Sequence, residues 1–176
     1  SYLARAAVRL AFDECFRFGP STNITRSVFE MYEIDDKKDF SNAIVGKKID
    51  STYLIKSLFE HANNGDLPAI SVLETSGEHM ARSIAGVIKE LNIKEPINVI
   101  LAGSVWAKAT NFAMLNKFKK VVCELSNKKC NFIVLKEPPV LGAILWALEL
   151  ANGELPDKEL KAKVLENIIN YQNSIN

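Results

Sequence analysis

The stretch best suited to chemistry is an apolar run that breaks at a glycine, Val99-Ile100-Leu101-Ala102-Gly103-Ser104-Val105-Trp106. Glycine permits a tight turn and close approach to the backbone, and a helix start beyond it offers free N–H groups and a positive dipole end. A strand, a glycine turn and a helix form a natural seat for a nucleotide. Many α/β domains use the same punctuation without binding anything. Other reactive residues are few. His61 and His79 are the only histidines, too few for a His-rich zinc site, and both fall in helical segments where packing or surface roles suffice. Cys15, Cys123 and Cys130 have neither C-x-x-C spacing nor an even count, and read as free thiols of a cytoplasmic protein.

The elements that must position this turn are mostly helical. Residues 2–18 carry apolar side chains at three- and four-residue steps, and Gly19-Pro20 ends that helix. Ser21, Thr22 and Asn23 offer caps for a short helix through Tyr32. Asp35 to Asp39 reads as a solvated turn, with Ile44-Val45 a short extended piece. Thr52 to Ala62 is a helix closed by Asn63-Asn64-Gly65. Asp66 caps the clearest helix, with Pro68 in its first turn and an apolar stripe through Ile70, Leu73, Gly77, Met80, Ile84, Val87 and Leu91. Gly77 and Gly86 weaken helix propensity, which predicts close packing against neighbours at both.

After Pro96 comes the strand, then a helix of about 15 residues to Asn127 and a second apolar strand at residues 131–135. Strand, crossover helix and strand make a right-handed parallel βαβ unit. Leu141 to Leu148 is nearly all apolar, so a buried helix is expected there. Asn152-Gly153 ends it, and a final amphipathic helix occupies the 153–176 segment. Two parallel strands are too few for an independent sheet, and the chain reads as an incomplete α/β domain.

Composition bounds the function. The 176 residues are 48% hydrophobic and 24% charged, as in a globular domain with a substantial core. Lys plus Arg number 22 and Asp plus Glu 21, a balance that gives no footprint for nucleic acid or an anionic membrane. No apolar run approaches the roughly 20 residues of a membrane helix, and the start lacks a signal-peptide pattern.

Four stretches, in order and spacing, carry a resemblance. Gly103-Ser104-Val105-Trp106 after a strand resembles the adenosine motif of N-acetylglucosamine kinases, which belong with the BadF/BadG/BcrA/BcrD-type ATPases of the actin, sugar kinase and Hsp70 superfamily. Residues Ala6 to Asp13 resemble the helix that follows the family's Gly-Asp-Glu-Gly-Ser segment, with Ser1 in the place of that serine. Ala62-Asn63-Asn64-Gly65-Asp66 resembles its Gly-Asp helix junction, and Pro138-Pro139-Val140-Leu141-Gly142-Ala143 its C-terminal Pro-x-x-Gly-Ala helix start. The resemblance implies a helix-rich α/β fold: residues 1–176 as the truncated C-terminal lobe of a ribonuclease H-like, actin-like ATPase. The phosphate loops and catalytic aspartate are expected to precede Ser1.

Site residues follow from the matched motifs alone. Gly103 and Ser104 resemble the turn against adenosine and the α-phosphate, where a side chain would occupy nucleotide space and a hydroxyl can bond an oxygen. Lys108, read at the start of the following helix, can reach phosphate or ribose, or stand as a solvated lysine. Thr52 aligns beside the nucleotide when counted back from Gly65-Asp66. Gly142 and Ala143 resemble the adenine pocket wall, with tight helix packing as the competing explanation. Trp106 is read as structural. No catalytic residue and no metal ligand is expected in this segment. The implied activity is transfer of a phosphoryl group from Mg-ATP to a hydroxyl of an amino sugar in the intact protein. A non-catalytic or regulatory nucleotide-binding relative is the alternative, and an interaction module a third. The apolar strands, with no further strand to cover them, predict a homo-oligomer.

Overall fold

The computed structural model describes residues 1–175. In chain order these form α1 (Tyr2–Phe16), α2 (Ile24–Tyr32), a 3-10 turn at Lys37–Asp39, α3 (Phe40–Ile44), α4 (Ser51–Asn63), α5 (Leu67–Glu90), β1 (Ile97–Leu101), α6 (Ser104–Ala107), α7 (Ala113–Ser126), β2 (Cys130–Val134), α8 (Pro139–Asn152) and α9 (Lys158–Ile175). The architecture is helix-rich α/β with a small two-stranded parallel sheet. Among the described residues no helix is long and apolar enough to cross a membrane. The chain gathers into two compact units, Ser1–Ile97 with Ala109–Asn131, and Asn98–Lys108 with Phe132–Asn176.

The first unit is a helical assembly around a core in which Tyr32, Ile24, Leu54, Leu58, Leu73, Met114 and Phe118 are fully buried. On α1 the buried positions are Leu3, Ala4, Ala7 and Ala11, and the three alanines let α2, α4 and α5 approach. The expected extended piece at Ile44-Val45 is absent; Ile44 closes α3 and Val45 is its C-cap, because Phe40, buried against Phe12, Phe16 and Phe29, anchors that segment as a helical turn.

The buried face of α5 differs from the expected stripe by a rotation of about one position. Ala69, Leu73, Ser76, Gly77, Ala81, Ala85 and Ile88 are buried, whereas Val87 and Leu91 are exposed. Small residues take the contact because α7 lies against α5 more extensively than any other pair of helices, and backbones that close have room for little else. Gly77 is the point of closest approach. A Cβ there would overlap the carbonyl oxygen of Met114 and lie 3.1 Å from its carbonyl carbon. Gly86 is the opposite case: it is exposed, and a Cβ would meet nothing within 4 Å, so the packing expected of it is not found.

Asp66 does more than cap α5. Its carboxylate accepts from the Ala69 amide at 3.0 Å, as a cap should, but also from the Thr22 hydroxyl at 3.0 Å and the Asn23 amide at 2.7 Å. Thr22 is therefore turned towards α5, and Ser21 donates to Glu14 at 2.9 Å. The three residues expected to cap α2 act instead as ties: no side chain of Asn23 caps it, although the Thr22 hydroxyl accepts from the Ile24 amide at 3.2 Å.

In the sheet, the Ile97 amide donates to the Lys129 carbonyl at 3.2 Å and the Leu135 amide to the Leu101 carbonyl at 2.9 Å, which sets the parallel register. The side chains of Ile97, Val99 and Leu101 are buried and those of Asn98 and Ile100 exposed, so the strand is covered on one face.

The second unit corrects one expectation outright. Helix α8, read as buried, buries only Leu141, and leaves Trp146 65% and Leu150 73% exposed. A helix apolar all round needs neighbours on every side. Here α9 packs along it with Val164, Leu165 and Ile168 half-buried, and one helix covers one stripe.

The three cysteines are free thiols. Burial pushes the thiols of Cys15 and Cys130 up, with the Glu14 carboxylate adding to the effect on Cys15, while Cys123 is exposed. Because the thiolate is the nucleophile, thiol labelling at pH 8 should show one fast phase from Cys123 and two slower ones. A Cys123→Ser chain that keeps the fast phase would contradict this order.

Candidate functional site

The turn after β1 is built around Gly103, at φ +108° and ψ 162°, a backbone conformation that side-chain-bearing residues rarely adopt. Its carbonyl accepts from the amides of Trp106 at 3.1 Å and Ala107 at 3.0 Å, and the Ser104 carbonyl from Lys108 at 2.9 Å, locking residues 103–108 into one helical turn. A Cβ built on Gly103 would meet nothing within 4 Å. Ser104 is exposed beside that open space, and Trp106 is half-buried.

The helix directly after the turn is a short one that the spacing does not suggest. It is the four-residue α6, and Lys108 ends it as an exposed C-cap instead of opening the longer helix. Helix α7 starts five residues later at Ala113, whose amide donates to the Asn111 side chain at 2.9 Å. Asn111 competes for the backbone in the way that favours helix starts over helix interiors, and so sets the start of α7, which has the expected length and ends at Ser126 with Asn127 as its C-cap. A single turn also carries a much smaller dipole than the expected helix.

Gly142 and Ala143 lie exposed in the first turn of α8, which opens on Pro138-Pro139. A Cβ on Gly142 would meet nothing within 4 Å, which removes tight helix packing as the reason for this glycine. Thr52 lies exposed in the first turn of α4, its amide donating to the Asp50 carboxylate at 3.0 Å. Gly103, Ser104, Lys108, Gly142 and Ala143 all belong to the second unit, and Thr52 to the first.

Both histidines have packing partners. His61 Nε2 is 2.9 Å from the Ser27 hydroxyl, and the His79 ring meets Tyr2 edge-on. Among the described residues no group of three or more His, Cys, Asp or Glu side chains is arranged to hold a metal ion.

A cavity of about 540 Å³ opens in the first unit between Glu14, Arg26, Phe29, Glu30, Glu33 and Asp35, and none of the six candidate residues lines it. Its carboxylates have internal work: Glu14 accepts from Ser21, Thr25 and the Thr22 amide. The Arg26 guanidinium, and then the Tyr53 hydroxyl, hold the Glu30 carboxyl below the usual range. Sequence spacing carried no sign of this cavity.

A second feature had no signal in the spacing. The Asn63 side chain, at the last residue of α4, donates to the Thr110 hydroxyl at 3.1 Å and accepts from the Asn111 amide group at 3.1 Å.

The model of the ROK family matches residues 41–149, about three-fifths of the chain. The chain belongs to the ROK family. The match runs from the second residue of α3 to near the end of α8 and takes in all six candidate residues. ROK proteins fall within the actin, sugar kinase and Hsp70-type superfamily and have a sugar-kinase-like fold. The family comprises sugar kinases and related regulators, which gives a nucleotide-binding theme to the ROK segment here. Among curated proteins no match to the chain is found.

Proposed function

We propose that this ROK chain supplies the adenosine-binding lobe of an ATP-dependent sugar kinase that phosphorylates a hydroxyl of an amino sugar of the N-acetylglucosamine type. The observation that carries the reading is the open surface at two glycines within the motif stretches of the second unit, Gly103 and Gly142. Glycine inside a helix costs about 1 kcal/mol relative to alanine, and at Gly142 neither backbone conformation nor packing within the chain calls for it. A bare helix surface is what the flat face of a purine needs in order to approach. Gly103, with the same open space and the exposed Ser104 hydroxyl beside it, suits the ribose and α-phosphate. Lys108 adds a cation within reach of the phosphates. The BadF/BadG-type resemblance of Gly103–Trp106 and Pro138–Ala143 supports an amino sugar as acceptor.

Magnesium bound with ATP would offset charge on the phosphates. The catalytic base and phosphate loops of the kinase lie outside this set of residues. The part played by these residues is to bind and orient the nucleotide. Thr52 is left out of the proposed site.

Substitution at Gly142 separates a ligand from a structural role. Gly142→Leu should keep or raise the melting midpoint, since leucine favours helix, the position is exposed and a Cβ there meets nothing within 4 Å. It should weaken ADP binding, expected to be roughly millimolar for the wild-type chain, at least about tenfold by amide chemical-shift titration. A folded Gly142→Leu chain with wild-type ADP affinity would refute the adenine assignment.

A further inference from the structure

The exposed side of α8 is one continuous apolar face. Helical steps of three, four and seven residues put Val140, Trp146, Ala147, Leu150 and Ala151 on the same side, and all five are exposed. The other side is the covered one, with Leu141 buried and Ile144, Leu145 and Leu148 half-buried. Gly142 lies at the margin of the exposed face, one turn before Trp146. Trp146 and Leu150 are mostly in water, and with the smaller residues beside them the face presents roughly 400–500 Å² of apolar surface. That equals the largest patch an ordinary monomer exposes. Interfaces are roughly 60% apolar, so a contact centred here would bury about 700–800 Å² on each partner once its polar rim is included, the size of a stable dimer interface.

Three features select a second copy of the chain as the cover. A twofold contact brings the residues at its centre against their own twins, so a charge there would meet a like charge, and residues 138–148 carry none. The α8–α9 hairpin is half of a four-helix arrangement. Pairing two hairpins through α8 gives a helix that is apolar all round the neighbours that α9 alone does not provide. Ala147 and Ala151, four residues apart, are small enough for α8 to approach its twin closely. Beside this face α9 mixes Lys158, Lys161 and Lys163 with Glu159 and Glu166, a balance that attracts neither an anionic nor a cationic surface.

We infer that the Trp146–Leu150 face of α8 is a self-association surface, through which two copies of the chain pair about a twofold axis. The inference lies wholly within the second unit and does not draw on the nucleotide reading of Gly103 and Gly142.

The test is sedimentation velocity of the full chain from about 1 to 200 µM, where a monomer–dimer equilibrium with a Kd of roughly 1–20 µM is expected. Trp146→Glu and Leu150→Glu each set a charge against its twin on an exposed helix position that glutamate suits. Each should weaken the dimer at least about 30-fold, with the far-UV circular dichroism of the wild type. Leu155 is as exposed as Leu150, both at 73%, but lies in the connection between α8 and α9. Leu155→Glu should therefore leave the dimer intact. A wild type that stays monomeric at 200 µM overturns the inference, and if it then pellets with phosphatidylcholine vesicles the face belongs to a lipid surface instead. A dimer that survives both Trp146→Glu and Leu150→Glu overturns it too, as does equal loss in Leu155→Glu. Growth past the dimer with rising concentration would contradict a closed twofold contact.

Discussion

Gly77→Ala should destabilise the first unit by about 2–4 kcal/mol, even though alanine is the better helix former. The added methyl would overlap the Met114 carbonyl oxygen, a backbone atom that cannot rotate away. Helix α7 would have to move off α5, and the buried Met114, Phe118 and Val122 would lose contacts over the whole seam. The matched control lies nine residues further along the same helix. Gly86→Ala meets nothing within 4 Å, and should stabilise by about 1 kcal/mol through helix propensity alone. Urea denaturation followed by far-UV circular dichroism measures both. Equal effects of the two substitutions would mean that the helices do not approach at Gly77.

Asp66→Ala should cost a similar amount, about 2–4 kcal/mol, from two sources. Loss of the α5 cap accounts for about 1 kcal/mol. The rest comes from the buried Thr22 hydroxyl and the Asn23 amide, which lose their acceptor, at about 1–3 kcal/mol. Asp66→Asn should fall between, because one side-chain oxygen can still accept from Ala69 or Thr22 while the new NH₂ opposes a second donor. The distinguishing measurement is hydrogen exchange. If Asp66 only caps, protection falls in the first turn of α5 alone; if it also ties α2, protection falls around Ile24 as well. Loss confined to α5 would refute the second role.

Helix and strand identities were legible because they depend on local pattern. The three- and four-residue apolar steps, the Asp66-Leu67-Pro68 start and the Asn63-Asn64-Gly65 stop each place their element without reference to the rest of the chain. The turn at Gly103 was legible for the same reason, since an apolar β run breaking at glycine needs no partner to be recognised. What failed locally was the placement of Lys108 at the start of the helix that follows the turn. The side-chain bond from Asn111 to the Ala113 amide starts α7, and periodicity does not register such a bond.

By itself the sequence determined the longer helices, the helix-rich α/β class, the parallel strand pair and the glycine turn after the first strand. Tertiary structure alone decided which face of α5 is buried, since that depends on the backbone of α7 meeting Gly77 and not on where the largest apolar residues fall. It decided that α8, apolar on every side, remains largely exposed, because burial is a property of neighbours and α9 covers only one stripe. It also joined Asp66 to Thr22 and Asn63 to Thr110, pairs 44 and 47 residues apart. Short polar side chains bond whatever the fold brings within about 3 Å, and no spacing along the chain encodes that proximity.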